Sequence, residues 1–458
     1  MNVQRTETDV LIIGGGPAGA LLGYLLARQG RRVMVAEKEH DLERFATEPG
    51  VGDDASRALA WNGASNVRLL DAARGGPRPV PSSAARRGLE RDWRGETIAA
   101  RSVRTLLQLG FGPALERHGY LPLTGLSLRE AGRSIVSVDY RRFAIRALPI
   151  DIPQPALIAT FFQQATTYRD FTLLAGTRFV ALCERNGQVV GARLERPSGR
   201  PLEVRAKLVV GADGRFSEVR AASGLRASIA AAERSFLWFK VKRPRGWGYE
   251  AQLVVDGREH LLIHPTFPDH LRIGFSLPTG GLDALHAEGL ARFRARVASL
   301  DSRLAPLLDA HIGGWDDTAY DEIFTAELVD WARDGLVLIG DASHTASPLL
   351  GQGVNLALQD AVFLAPVVSA FFEGGAAGVL PKRALDPFVG KRRAHKQMIT
   401  RFQRAQERTL RDDTPLGRLL RRARLRVLDL FPLKYRVLDR VLNAPHECDP
   451  ELGHAAVL

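Results

Sequence analysis

Residues 10–27 run for 18 positions without a charge, a length that composition alone would allow to cross a membrane. The glycines exclude that reading. Gly14, Gly15, Gly16, Gly19 and Gly23, with Pro17, predict a short strand over 10–13, a tight turn and a helix opening near Pro17. Gly30 is a natural C-terminal stop, and a second strand is expected over 32–36. This strand–helix–strand start commits the chain to the α/β class. Inside it, Gly14-Gly15-Gly16-Pro17-Ala18-Gly19 has the form G-x-G-x-x-G at the strand-to-helix junction. Gly14 permits the turn, Gly16 lets a pyrophosphate approach the backbone, and Gly19 lets helix and strand pack closely. Glu37 ends the second strand 18 residues beyond Gly19, where a carboxylate accepts hydrogen bonds from a ribose diol, and Lys38 follows it. The pattern predicts an adenine dinucleotide without choosing between NAD and FAD.

At 458 residues with 45% hydrophobic content the chain has enough apolar material for two or three globular domains. Cys183 and Cys448 form at most one bridge, which excludes a disulfide scaffold, and no metal site is expected. The formal charge of +12 raises a nucleic-acid partner, but 18 basic against 9 acidic residues fall within 376–458, away from any groove, and no reader motif is present. The N-terminus lacks the basic stretch of a secretory signal, so a cytoplasmic location and no transmembrane segment are expected.

Two distant segments bear on the choice of dinucleotide. A buried-type strand over 205–210 leads into Gly211-Ala212-Asp213-Gly214-Arg215-Phe216-Ser217, with Arg220 after it. Another over 335–339 leads into Gly340-Asp341-Ala342-Ser343-His344, then Pro348, Gly351-Gln352-Gly353-Val354-Asn355-Leu356 and Asp360. With the first motif, in this order, these residues make the chain from Thr8 to about Arg408 resemble the FAD-dependent aromatic hydroxylases. These are single-component flavoprotein monooxygenases similar to para-hydroxybenzoate hydroxylase. The resemblance implies FAD as cofactor, with NAD(P)H and O₂ as co-substrates and an aromatic or polyketide-like small molecule as substrate. It implies that Asp341, after Gly340, binds the ribityl chain and that Asp213 lies near the pyrophosphate. It places Pro348, Gly351 and Gly353, with Val354 and Asn355, along the isoalloxazine. Arg94, in Asp92-Trp93-Arg94-Gly95-Glu96-Thr97, is expected against the phosphates, and Gln154, opening a helix, beside the flavin side chain. No side chain is assigned an acid-base role, and His344 is expected to be a packed, hydrogen-bonded residue. Epoxidation, halogenation, reduction and flavin binding without turnover stay open as alternatives, although the W-x-W-x-I-P motif of halogenases is absent.

The expected architecture is a Rossmann-like FAD-binding domain, an antiparallel-sheet substrate domain and a helical C-terminal region. FAD-binding segments are expected over 1–125, 151–225 and 326–375, interleaved with substrate segments over 126–150 and 226–325, and followed by a basic helical region over 376–458. Between Glu37 and Arg94 lie 56 residues where the family pattern needs about a dozen. The excess, 45–91, is read as an irregular surface insert. Strands are expected over 236–241, 250–255, 260–264 and 271–276, with Trp238, Phe239, Trp247 and Phe275 assigned to the core rather than the pocket. In the tail, residues 415–442 form a basic, Leu-rich helix interrupted at Pro432, for which packing across a domain boundary is favoured over peripheral membrane contact.

Overall fold

The computed structural model describes residues 3–39, 97–130, 132–145, 147–348, 351–375, 377–411, 414–430 and 433–442. Arg94 and the segment read as an insert lie outside the described residues.

The first sheet grows from the N-terminal strand Gln4–Ile13, whose last four residues are all buried. Its parallel core has the order Leu336–Leu338, Pro201–Gly211, Gln4–Ile13, Val33–Ala36, Phe171–Leu174. Parallel strands need covering on both faces, which is why these segments read as apolar runs. Antiparallel strands Gln188–Glu195 and Arg178–Arg185 extend it beyond Pro201–Gly211. Helix α1 (Pro17–Arg28) starts at the expected proline and has ten buried residues. It packs against α2 (Gln154–Ala165) and, on another side, against the long apolar helix found at Gln352–Glu373.

The second sheet has the order Thr318–Asp321, Arg234–Lys242, His270–Pro278, Glu259–Thr266, Glu250–Asp256, Gly125–Glu130, Arg133–Asp139. All four strands expected here are present. One pair, Glu250–Asp256 with Gly125–Glu130, runs parallel, so the sheet is not uniformly antiparallel: the partner strand arrives from far upstream and no hairpin dictates its direction. Period-2 alternation divides the sheet's two faces. Phe239, Phe275, Ile263 and Ile273 are fully buried against helices Leu290–Leu300 and Ala305–His311. Trp238, Arg272 and His264 lie on the opposite face. Trp238 is buried there among Phe236, Leu262 and Ile323, as the core expectation has it, and it lines the cavity described below as well.

Helix α3 (Glu218–Ala222) follows the 211–217 loop. Among the described residues, α4 (Gln352–Glu373) is the one helix long and apolar enough to cross a membrane, and 67% of that stretch is buried inside the protein, as suits a core helix. Helix α5 (Lys382–Arg411) packs along it, and α6 (Pro415–Leu430) lies on the second sheet. Arg421 of α6 reaches the buried Glu130 carboxylate at 2.6 Å, and Arg422 meets its other oxygen at 2.6 Å. The tail helix is thus docked across a sheet by an ion pair.

Candidate active site

A single cavity of about 810 Å³ runs from the end of the first strand to the open face of the second sheet. Its near end is backbone. Gly14 has φ +105°, and a Cβ there would come within 2.4 Å of Ala212 O; a Cβ at Gly19 would sit 2.0 Å from Gly14 O. These two positions fix the turn against the Asp213 loop and bring helix onto strand, as the motif demands. Gly16 and Gly353 differ, because a Cβ at either would meet nothing within 4 Å, and both line the cavity. They leave room for a ligand to touch backbone. The helices that start beside them, α1 and α4, have no side-chain cap on their first N–H groups, so two positive dipole ends face one cavity.

Glu37 is 3% exposed. Its carboxylate accepts from Gly15 N–H at 2.6 Å and Glu39 N–H at 3.0 Å, and it lines the cavity with Lys38. Arg178 and Thr177 complete this end. The sequence carried no signal for either, since they stand 140 residues downstream at the start of an ordinary strand.

Midway, Asp213 and Asp341 line the cavity together with Pro17, Ala18, Gln154 and Gly340. Asp213 accepts from the Ser217 hydroxyl at 2.5 Å and from Val219 N–H at 3.0 Å, capping α3, and burial raises its carboxyl above the ordinary range. Arg220 staples the two loops: it donates to Arg215 O at 2.6 Å, Asp341 O at 3.2 Å and Ala342 O at 3.0 Å. Behind Asp341 lies a buried ion pair. Asp360 is 0% and Arg392 1% exposed, with Arg392 Nε donating at 2.6 Å, while the other oxygen of Asp360 accepts Gly340 N–H at 2.8 Å. The Gly340-Asp341 turn is thereby tied through Asp360 to α5. His344 is packed as expected, stacked on Trp331 at 4.8 Å with its Nδ1 2.7 Å from Ser343 Oγ, and burial pushes it down to about 4.

Pro348, Gly351, Gly353 and Val354 line the far part of the cavity. Asn355 does not. Its side chain accepts from Ala99 N–H at 2.8 Å and donates to Thr97 O and Gly351 O at 3.1 and 2.9 Å, so it braces the loop from behind. Gly19 likewise sits behind the wall. Opposite this loop the second sheet contributes Trp238, His264, Arg272 and Asp321, none of which the sequence singled out as pocket residues.

Uncapped helix ends, space at Gly16 and Gly353, and the Glu37, Asp213 and Asp341 carboxylates spaced along the wall fit an elongated dinucleotide. The model for the FAD binding domain matches residues 7–46, 84–250 and 322–403, well over half of the chain. The chain is 30% identical over 442 residues to 6-methylpretetramide 4-monooxygenase of Streptomyces rimosus, spanning 95% of this chain and 92% of that protein. It is 25% identical over 361 residues to 3-demethoxyubiquinol 3-hydroxylase of Escherichia coli strain K12, 78% of each chain. The crystal structure of p-nitrophenol 4-monooxygenase PnpA from Pseudomonas putida DLL-E4 superposes with a TM-score of 0.72 at 17% identity, covering 97% of this chain and 100% of that one. A nucleotide cradle made of backbone, a second sheet over its far end and these relatives together show that the chain belongs to the FAD-dependent aromatic monooxygenases of the para-hydroxybenzoate hydroxylase type.

Proposed function

We propose that the protein hydroxylates an aromatic or polyketide-like small molecule with NAD(P)H and O₂, holding FAD along the whole cavity. The observation that carries this reading is the continuity of the cavity, from the Gly16 cradle past Asp341 to the aromatic face of the second sheet. In this reading Glu37, with Lys38, holds the adenosine ribose, and the 14–19 loop and α1 hold the pyrophosphate. Asp341 takes the ribityl hydroxyls, Gln154 the flavin side chain, and Pro348 to Val354 the ring. When bound, FAD supplies the redox and oxygen chemistry. The protein supplies position and field. The N-terminus of α4 stabilises negative charge beside the 351–354 loop, and the second sheet keeps bulk water from the reacting face. His344, neutral and stacked on Trp331, supports the 340–345 turn and moves no proton. A cytoplasmic location fits the dinucleotide reductant.

Two experiments test this. Turnover under labelled O₂ should place one labelled oxygen atom in the product at the expense of NAD(P)H; unlabelled product sinks the monooxygenase assignment. Asp341→Ala should lower flavin affinity by about 1.5–3 kcal/mol, roughly ten- to a hundredfold, and by more than Asp213→Ala does. Equal flavin-to-protein ratios in the two variants would overturn these roles.

A further inference from the structure

An edge strand presents unpaired N–H and C=O groups to any other chain, so a fold has to guard its sheet edges. Two long edges here are blunted. Strand Arg178–Arg185 carries Arg178, Glu184 and Arg185, and its pairing with Gln188–Glu195 is broken by register shifts between Val189 and Gly191 and between Arg193 and Leu194. Strand Arg133–Asp139 is covered by the tail: Ser137 N–H donates to Asp429 at 3.0 Å, Lys434 Nζ donates to Ser137 O at 2.6 Å, and Asp139 N–H donates to the Tyr435 hydroxyl at 3.3 Å. Strand Ala227–Ala231 has neither device. It forms a two-stranded ribbon with Phe324–Leu328, reads Ala-Ser-Ile-Ala-Ala without a charge or a proline, and is exposed at all five positions, Ile229 at 60%. Val329 N–H donates to Arg226 O at 3.2 Å and Ala232 N–H to Ile323 O at 2.9 Å, in the register that sets Ser228 against Glu327 and Ala230 against Thr325. Bonded and non-bonded pairs alternate along antiparallel strands, so these even-numbered residues turn their polar backbone groups inward. Those of Ala227, Ile229 and Ala231 point out, and among the described residues no strand meets them. The inner strand is already held on its far side, where Ala326 N–H donates to Thr345 Oγ1 at 2.7 Å beside Phe324 of the cavity wall.

We propose that this edge is the interface between two copies of the chain, paired antiparallel about a two-fold axis at Ile229. A second copy is the occupant that the strand itself fits. Turned about Ile229 the segment matches its own sequence: Ala227 meets Ala231, Ser228 meets Ala230, and Ile229 meets Ile229. Each outward N–H then faces an outward C=O, and the same patch serves on both sides, as an isologous contact requires. The ends agree in charge. Arg226 precedes the strand and Glu233 follows it, both exposed, so the basic end of one copy lies beside the acidic end of the other. A strand from an unrelated protein would satisfy the backbone without this symmetry. Pairing merges the two ribbons into one continuous sheet, whose outer strands each carry the Phe324 that lines a cavity. The cavities of the two copies are thereby joined through hydrogen-bonded backbone.

The test is sedimentation of the full, flavin-loaded chain over a range of concentrations, which does not depend on turnover. The mass should rise from 50.2 kDa toward twice that value as concentration increases. Ile229→Lys sets like charges face to face on the axis and should weaken association by roughly tenfold or more with flavin content unchanged. Ile229→Pro removes an N–H that bonds to nothing in its own chain, and should act the same way. Ile229→Cys tests the register. Opposed Cα atoms about 5.5 Å apart are within reach of a disulfide, so mild oxidation should give a reducible dimer that the parent, with Cys183 and Cys448, does not form. A parent that stays monomeric at every concentration overturns the proposal. A dimer that neither Ile229→Lys nor Ile229→Pro weakens overturns it as well, since another face then holds the copies together. Failure of Ile229→Cys to cross-link overturns the two-fold register. Slow amide exchange at Ala227 and Ile229 in dilute, monomeric protein shows that the chain covers its own edge, and also overturns the proposal.

Discussion

At the end of the cavity lined by Gly14 and Gly16 the glycine loop offers backbone, whereas at the sheet end the wall is the side chains of Trp238, His264, Arg272 and Asp321. Backbone recognition is generic: an N–H group and a helix end accept any chain of phosphate and hydroxyl in the right place, and the demand on sequence is mainly that side chains be absent. Side-chain recognition is particular. Each of those four residues can change without altering the strand it stands on, because a strand asks only for alternation. The fold can therefore keep one cofactor and exchange substrates, with the two tasks separated along a single cavity.

The largest way to break this contrast is to attack a buried ion pair on which the backbone turns depend. Arg392→Met leaves the Asp360 carboxylate buried and unpaired, for which a loss of about 3–5 kcal/mol is expected. The melting temperature should fall and the protein should purify with less flavin. An unchanged flavin ratio would mean that the Gly340 turn holds itself. Next in size is a pH effect. His344 has its pKa depressed from the ordinary 6.5 to about 4, so the unfolded chain binds the proton more readily. Stability from this group is complete above pH 6.5 and is lost as pH falls toward 4, by up to about 3 kcal/mol. A His344→Asn variant should show a flatter decline of melting temperature across that window; an identical slope would exclude His344 as its source.

Gly16→Val sharpens the comparison directly. Because space is open there, the apoprotein should melt within a degree or two of the parent while flavin affinity drops at least tenfold, about 1.4 kcal/mol, as measured by titration of apoprotein. Loss of fold would show that Gly16 serves packing, as Gly14 and Gly19 do. Smallest is Trp238→Phe, expected to leave flavin content unchanged and to raise the apparent substrate constant by less than tenfold, read from steady-state kinetics once a substrate is in hand. A loss of flavin there would merge the two ends into one.

The same division explains what could be read from the sequence. Strand, turn, helix and acid around Gly14 to Glu37 are local, and each residue type has one physical reason to be there. The Asp213 and Asp341 loops stand out for the same reason, each at the end of an apolar run. Arg178, His264 and Arg272 were invisible, and Trp238 was read as core alone, because they sit in strands whose pattern is satisfied by many residues, and only sheet register brings them to the cavity. Asn355 shows the opposite failure. Its place in a recognisable loop suggested ligand contact, yet its amide is spent on Thr97, Ala99 and Gly351. Which way a side chain turns off a helix start depends on a strand 250 residues away.

The order of strands in the first sheet also sets a timetable. Pro201–Gly211 gains its outer parallel neighbour only when Leu336–Leu338 has been made, and Asp360 gains its counter-charge only with Arg392. At roughly 5–20 residues per second, the nascent nucleotide cradle waits on the order of ten seconds with that edge open and the Gly340 turn unmade. During that interval the residues of the glycine loop and α1 have been made, but those that form the opposite wall have not. The full lining of the cavity exists only once the chain has been made through Ala357, so a complete flavin site is in this sense a late product of synthesis.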